Sequence, residues 1–455
     1  MSQNKAPKNH VFYRNQNWHY PKITHGKGVF LYDDRGRDYI DGCSGSAVAN
    51  LGHGNQEIAE IARAQTETIA FTHLSRFTAE PIERACEKIA SWAPEGLNHV
   101  YLVSGGSEAV ETAIKMARQY YVERDGERTG KSKIISKWNS YHGSTLGALS
   151  LTGIPGRRRI YASMLIDFPK INQFYHYRNP YGAKTLYETS VLAARELEHA
   201  IQMEGAENIA AFLSEPVIGS AAPGVHPDKV YFEMVREICD RYDILFIADE
   251  VMAGFGRTGR RLAGDHFGLK PDIVVAAKGM SAGYTPMGAA IASDEVFETI
   301  MVKGSGKFVH GHTYASNPLS AAVSAKVIEI MERDQIIEKG QAVSAHYVKG
   351  LEAFNDYSFV GDIRGLGFMH GVEFVKNKET KEPFGKGENF AGRLTNACLE
   401  AGLVVYPGTG SVDGILGDHI LLAPPINITG AEVDEMLSRM HKGFQTVEKM
   451  LKEGK

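Results

Sequence analysis

Between about residues 58 and 300, stretches with a helical hydrophobic period alternate with short apolar runs rich in β-branched residues. That alternation predicts a parallel sheet covered by helices. The strand candidates are residues 99–103, 133–136, 210–214, 244–248 and 273–276, and each run stops at polar or glycine residues. In open α/β sheets the loops at the carboxyl ends of the strands face a shared crevice, so the residues just after these runs are where function is sought. Upstream, residues 28–41 alternate in hydrophobicity on either side of Asp34-Arg-Gly-Arg37, the pattern of a hairpin. Beyond about Ser320 the pattern predicts one long helix, then strand-like runs at 362–374 and 419–423, then a closing helix from Gly430. The expected division is therefore an N-terminal segment, 1–57, contributing to a small lobe; a large domain, 58–320; and a smaller C-terminal α+β domain, 321–455.

A chain of 455 residues has room for two or three domains, and 43% hydrophobic with 23% charged residues is ordinary globular composition. The balance of 50 Lys+Arg against 54 Asp+Glu, with the basic residues scattered, gives no footprint for nucleic acid. The one dense basic cluster is Arg157-Arg158-Arg159, read as a solvated loop or an anion site. Cys43, Cys86, Cys239 and Cys398 lie far apart with no CxxC pair, which suits a reducing cytoplasm and supports neither a disulfide framework nor a zinc site. There is no secretory leader pattern and no apolar stretch approaching the roughly 20 residues needed to span a bilayer, so the expectation is a cytoplasmic protein with no membrane partner.

Three segments carry candidate chemistry. The turn Ser104-Gly-Gly-Ser107 separates a strand from an amphipathic helix that includes Val110, Ile114 and Ala117. Such a turn either presents the unpaired N–H groups of the helix start to a phosphate or merely makes a tight connection. It is neither a GxGxxG fingerprint nor a Walker loop. The run 244–251 ends in two acids, Asp249 and Glu250. A carboxylate buried there demands a cation or a proton donor: a pyridinium N–H is one solution, and a helix cap or an ion pair with Arg257 is the other. Residues 272–279 place Lys278 directly after an apolar strand. It is either a snorkelling surface residue or an amine whose pKa burial lowers, freeing it to attack an aldehyde.

Seven motifs taken in order, Ser104-Gly-Gly-Ser-Glu-Ala109, Tyr141-His-Gly-Ser-Thr145, Glu215-Pro-Val217, Asp249-Glu-Val251, Gly254-Phe-Gly-Arg-Thr-Gly259, Ala277-Lys-Gly279 and His312-Thr-Tyr314, resemble the motif set of class III, or ω-, aminotransferases, from Gly28 to about Thr429. The resemblance implies a fold-type-I α/β enzyme dependent on pyridoxal 5′-phosphate (PLP), with a mainly parallel seven-stranded sheet in the large domain and a small domain built from both termini. It implies that Lys278 carries the cofactor as a Schiff base and then moves the proton between substrate and cofactor, and that Asp249 keeps the ring nitrogen protonated. Gly106 and Ser107 would bind the phosphate, Tyr141 and Val251 would lie on opposite faces of the ring, and Glu215 would organise its surroundings. Thr313 would reach the phosphate in a neighbouring subunit, which implies a homodimer or a higher homo-oligomer. The implied reaction takes an amino group from a primary amine or ω-amino acid to a keto acid or aldehyde acceptor, such as pyruvate, by a ping-pong mechanism. An aminomutase or racemase of the same fold, a nucleotide-binding oxidoreductase and a non-enzymatic interaction protein are the competing readings.

Several further residues and one gap bear on this resemblance. His310 and His312, with no adjacent cysteine or acid, make a poor metal site, and His142 reads as a packed structural histidine. Gly105 replaces a serine that relatives often carry, leaving Ser107 and the backbone to do more. Residues 412–417 lack the arginine that many relatives use to clamp a substrate carboxylate; one of Arg157 to Arg159 could serve instead, whereas Arg364 resembles a family arginine with an anchoring role. Ala47 stands where amine-specific relatives carry a bulky aromatic, and a roomier pocket is expected there.

Overall fold

The computed structural model describes residues 10–454. Strands β1 (Ile23–Lys27), β2 (Phe30–Asp33) and β3 (Asp38–Asp41) form an antiparallel meander. The turn between β2 and β3 is held by Asp33, whose Oδ1 accepts from the N–H groups of Arg35 and Arg37, both at 2.9 Å.

The central sheet has seven strands: β4 (His99–Val103), β5 (Lys133–Lys137), β6 (Lys170–Ile171), β7 (Ile209–Ser214), β8 (Leu245–Asp249), β9 (Ile273–Ala277) and β10 (Gly288–Ala292). Their order is β4-β10-β9-β8-β7-β5-β6. All pairings are parallel except those of β10, which runs antiparallel to β4 on one side and β9 on the other. Gly288 is register partner to both Val103 and Ala277.

Successive side chains of a strand point to opposite faces, and here both faces are apolar. Leu102, Phe212, Phe246, Val274 and Ile291 enter one core cluster. Val103, Leu213, Ile247, Val275 and Ala290 enter the other. The second face is covered by the Gly106–Asp125 helix through Ala109, Val110, Ala113 and Ala117. The first is covered by the helices Leu186–Glu204 and Val230–Arg241, which bring Leu197, Tyr231, Phe232 and Val235. Burial on both sides is why β7, β8 and β9 are continuous apolar runs in the sequence.

Beyond the sheet the structure corrects two expectations. The single long helix after Ser320 is two, Pro318–Arg333 and Ile336–Glu352, because Gln335 adopts a left-handed conformation with φ 51°. The second helix is thereby redirected onto the closing helix Gly430–Lys452, where a Cβ on Gly350 would stand 2.2 Å from Leu437 Cδ1. The run 362–374 is a hairpin, β11 (Val360–Leu366) and β12 (Met369–Phe374), folded at Gly367 with φ 59°. Strands β13 (Leu403–Val404), β14 (Tyr406–Gly408) and β15 (His419–Leu422) complete this part. β15 pairs with β12 and β14, and β13 pairs parallel with β3, so segments from the two ends of the chain share one sheet.

Candidate active site

The carboxyl ends of the parallel strands deliver polar groups to one place. Lys278 is the first residue after β9 and sits in the left-handed region at φ 49°, a conformation that costs a non-glycine residue energy and that the surrounding packing must enforce. It lines a cavity of about 790 Å³ together with Tyr141, Arg157, Ser220, Met252 and Tyr406. Burial pulls the Lys278 ammonium down to about pKa 8, Asp249 and Glu215 oppose the fall, and the charges of Arg257 and Arg157 reinforce it.

Asp249 closes β8 and is 3% exposed. Its Oδ1 accepts from Val251 N–H at 3.0 Å, and its Oδ2 lies 2.7 Å from His142 Nδ1. His142 is itself buried, its N–H donates to Thr152 Oγ1 at 2.9 Å, and its Nε2 has no protein partner. The Asp249–His142 contact spans 107 positions in sequence and gives the histidine a purpose beyond packing. Arg257 is not the partner of Asp249: it is fully buried among Pro424 O, Asn50 Oδ1 and Ser44 Oγ, where it ties the N-terminal and C-terminal segments together. Glu250 turns the opposite way and accepts from the N–H groups of Ala263 and Gly264 at 2.9 and 2.6 Å. Burial raises its carboxyl to about 8.

Glu215 follows β7 and is 4% exposed. It accepts from Tyr141 N–H at 3.1 Å and Gly219 N–H at 3.0 Å, while burial raises its pKa. Beside it Lys137, at the end of β5, is fully buried: its Nζ donates to Ser214 Oγ at 2.6 Å and lies 3.8 Å from the Phe174 ring centroid. Burial drives that amine well below its ordinary pKa.

The glycine turn opens the Gly106–Asp125 helix with no side-chain cap at Gly105, so the first N–H groups of the helix remain available to an anion. Ser107 Oγ accepts from Ser144 N–H at 3.0 Å, fastening the loop after β5 to this helix start. Glycine is required at 106, because a Cβ there would stand 2.8 Å from Val251 Cγ1. A Cβ at Gly105 would meet nothing, so a serine would fit at that position. Tyr141 is half-buried, its hydroxyl lies 3.0 Å from Ser144 Oγ, and Arg157 Cζ is 4.4 Å from its ring centroid.

Three expected features lie outside this cavity. Thr313 is exposed in the loop 309–316, which is docked on the Gly106–Asp125 helix through His310; His310 Nε2 is 2.9 Å from Thr112 Oγ1 and Nδ1 is 3.3 Å from Lys115 Nζ. Arg364 donates to Pro223 O at 3.0 Å and pairs with Asp362 and Glu373, an anchor between β11, β12 and the loop after β7. Ala47 is 1% exposed and packed in the core, and the cavity wall beside it is Ser46. The three consecutive arginines have separate fates: Arg157 enters the cavity, Arg158 donates to the carbonyls of Leu149, Ser150 and Thr152, and Arg159 is exposed.

A family model described as aminotransferase class-III matches residues 12–444. Among curated proteins, the putrescine–pyruvate aminotransferase of Pseudomonas aeruginosa is 37% identical over 428 residues, covering 92% of this chain and 89% of its own. Among solved structures, a transaminase from the marine bacterium Virgibacillus superposes with a TM-score of 0.88 at 35% identity, covering 96% of this chain and 95% of its own. An ω-transaminase from Pseudomonas jessenii in complex with PMP superposes with a TM-score of 0.89 at 32% identity, covering 96% of this chain and 94% of its own. Among the described residues no helix is long and apolar enough to cross a membrane.

Proposed function

The chain belongs to the class III aminotransferases, and from that membership and the cavity around Lys278 we propose that it moves an amino group from a primary amine or ω-amino acid to a keto acid such as pyruvate, using PLP in a ping-pong cycle. The observation that carries this reading is the convergence of Lys278 and Asp249 at the carboxyl ends of adjacent strands, β9 and β8, with Asp249 buried and Lys278 reached through one cavity.

The residues present fit the cofactor. The uncapped helix start at Gly106 and Ser107 suits a phosphate dianion, and the missing Cβ at 106 leaves room for Val251 against that helix start. Tyr141 and Val251 would hold the faces of a flat ring. When bound, PLP supplies the electron sink that makes a substrate Cα–H acidic. Asp249, steadied by His142 and by Val251 N–H, holds a proton at the ring nitrogen. Lys278, with a pKa near 8, is a free amine often enough at neutral pH to capture an aldehyde and afterwards to take and return a proton as general base. Glu215 ties Tyr141 to the loop after β7 and adds a negative charge near Lys278.

The same reading makes the protein a cytoplasmic homodimer with a small domain drawn from both termini, divided near residues 57 and 320. Thr313 is exposed beside Tyr314, which is 62% exposed and stands edge-on to Phe71 at 5.8 Å; Phe77 nearby in sequence is 68% exposed. This apolar patch supports coverage by a second copy.

Borohydride reduction of the purified holoprotein followed by peptide mass spectrometry tests the assignment. A phosphopyridoxyl adduct on Lys278, with parallel-line kinetics for an amine and pyruvate, is expected. An adduct on another residue, or turnover without a second substrate, overturns it.

A further inference from the structure

The charged side chains that line the cavity reaching Lys278 are all basic. Its lining includes Arg14 and Arg157 and, among the described residues, no aspartate or glutamate. Nearly every other arginine side chain turned toward the protein interior is matched by acceptors: Arg257 has three, Arg364 has Asp362 and Glu373, and Arg158 has three carbonyls. Arg157 has only the Ser220 hydroxyl, at 3.2 Å, and no carboxylate within ion-pair distance among the described residues. A guanidinium presents five N–H donors in a planar fork, so one hydroxyl leaves most of its donor capacity without a protein acceptor.

Arg157 is also held in place. Its guanidinium stacks on Tyr141, and its backbone belongs to a short turn of helix begun by Pro155. That turn is pressed by the 410–417 loop: a Cβ on Gly414 would stand 2.3 Å from Pro155 Cγ, and Asn139 Nδ2 donates to Ser411 O at 3.2 Å. The lining also includes the apolar side chains of Leu149, Ile160, Met164 and Met252, which suit methylene or aryl groups.

Resting on the proposed transamination, we infer that Arg157 is the residue that selects substrates by their carboxylate, so that the preferred donor is an amino acid whose amine and carboxylate are separated by an apolar spacer. The keto acid acceptor offers its carboxylate to the same fork, which lets one cation serve both half-reactions. A diamine places a second ammonium against Arg157 with no acid to receive it, and is a poor donor.

Two measurements on the holoprotein test this. Isothermal titration with pentanoate, which has no amine and cannot react, reads the anion site directly. Binding is expected for the parent protein, none for 1-pentanol, a weakening of about 10- to 100-fold in Arg157→Met, the loss typical of a hydrogen-bonded charge, and partial recovery in Arg157→Lys. Equal pentanoate affinity in parent and Arg157→Met overturns the inference. The second measurement is the ratio of kcat/KM for 5-aminopentanoate to that for pentylamine, with 1,5-diaminopentane as a third donor. The ratio is expected to fall by about 10- to 100-fold in Arg157→Met. An unchanged ratio, or the diamine as best donor of the parent protein, also overturns it. Failure of every donor would sink the transamination reading, while the pentanoate titration would still decide the role of Arg157.

Discussion

On its inner side the Lys278 cavity is lined by Met252 and Lys278, which follow β8 and β9, strands in which every residue is buried. On its outer side it is bounded by the short helical turns Pro155–Arg158 and Arg159–Met164, in which no residue is buried and Ile160 is 83% exposed. Behind that inner side lie Asp249 and Glu215, buried carboxylates held by hydrogen bonds with residues far away in sequence, and burial lowers the pKa of Lys278. Of its three arginines the outer wall turns only Arg157 to the cavity, beside the apolar side chains of Ile160 and Met164. Proton transfer needs the first arrangement, because a misplaced dipole raises the barrier directly. Choice of substrate needs only the second, where contacts can be exchanged without disturbing the core.

The contrast breaks most visibly at Asp249. Asp249→Asn keeps shape and removes charge, so kcat is expected to fall by about 10- to 100-fold with little change in KM, the size of a lost charged hydrogen bond. Steady-state kinetics at saturating donor would check it, and a change confined to KM would assign Asp249 to the outer wall. The pH response of Lys278 is the next largest effect. Its folded pKa, about 8, lies below the free value of 10.5, so the unfolded chain binds more protons between those limits. Burial of Lys278 therefore costs stability in full below about pH 8, and the cost is relieved as pH rises toward 10.5. Capture of an aldehyde by the apoprotein should accelerate about tenfold per unit up to pH 8 and then level off, followed by absorbance. A midpoint near 10.5 would show that the inner wall does not exclude water. The smallest effect is on the outer wall, where Ile160→Ala is expected to shift unfolding stability by no more than about 0.5 kcal/mol in urea titrations while altering relative rates among donors.

Lys278 and Asp249 were legible in the sequence because each ends a run of apolar residues, and a charge at that position needs an explanation from its neighbours. Strands β7, β8 and β9 were legible for the same reason. β10 was not: Gly288-Ala-Ala-Ile-Ala292 has one β-branched residue, and its pairing with two distant strands leaves no local signature. The two-residue β6 is too short to show a period. Gln335, which splits the expected long helix, carries no glycine or proline to announce the break. The His142–Asp249 contact and the stacking of Arg157 on Tyr141 depend on how loops fold over the sheet, so neither could be read from spacing. The glycine turn marked Gly106 and Ser107 as either a phosphate site or a tight connection, and the family resemblance supplied Tyr141, Glu215, Val251 and Thr313, which no local pattern singles out.

Because Gly288 is register partner to both Val103 and Ala277, one residue sets the relative height of the glycine turn and of Lys278. Gly288 also leaves room for the turn itself, since a Cβ there would lie 2.5 Å from Gly105 O. β10 thus acts as a gauge block between the glycine turn and Lys278. Displacing it by one position would offset them by about 3.3 Å and turn alternate side chains to the wrong face. Insertions within 288–292 should therefore be rejected, a constraint on length rather than on composition.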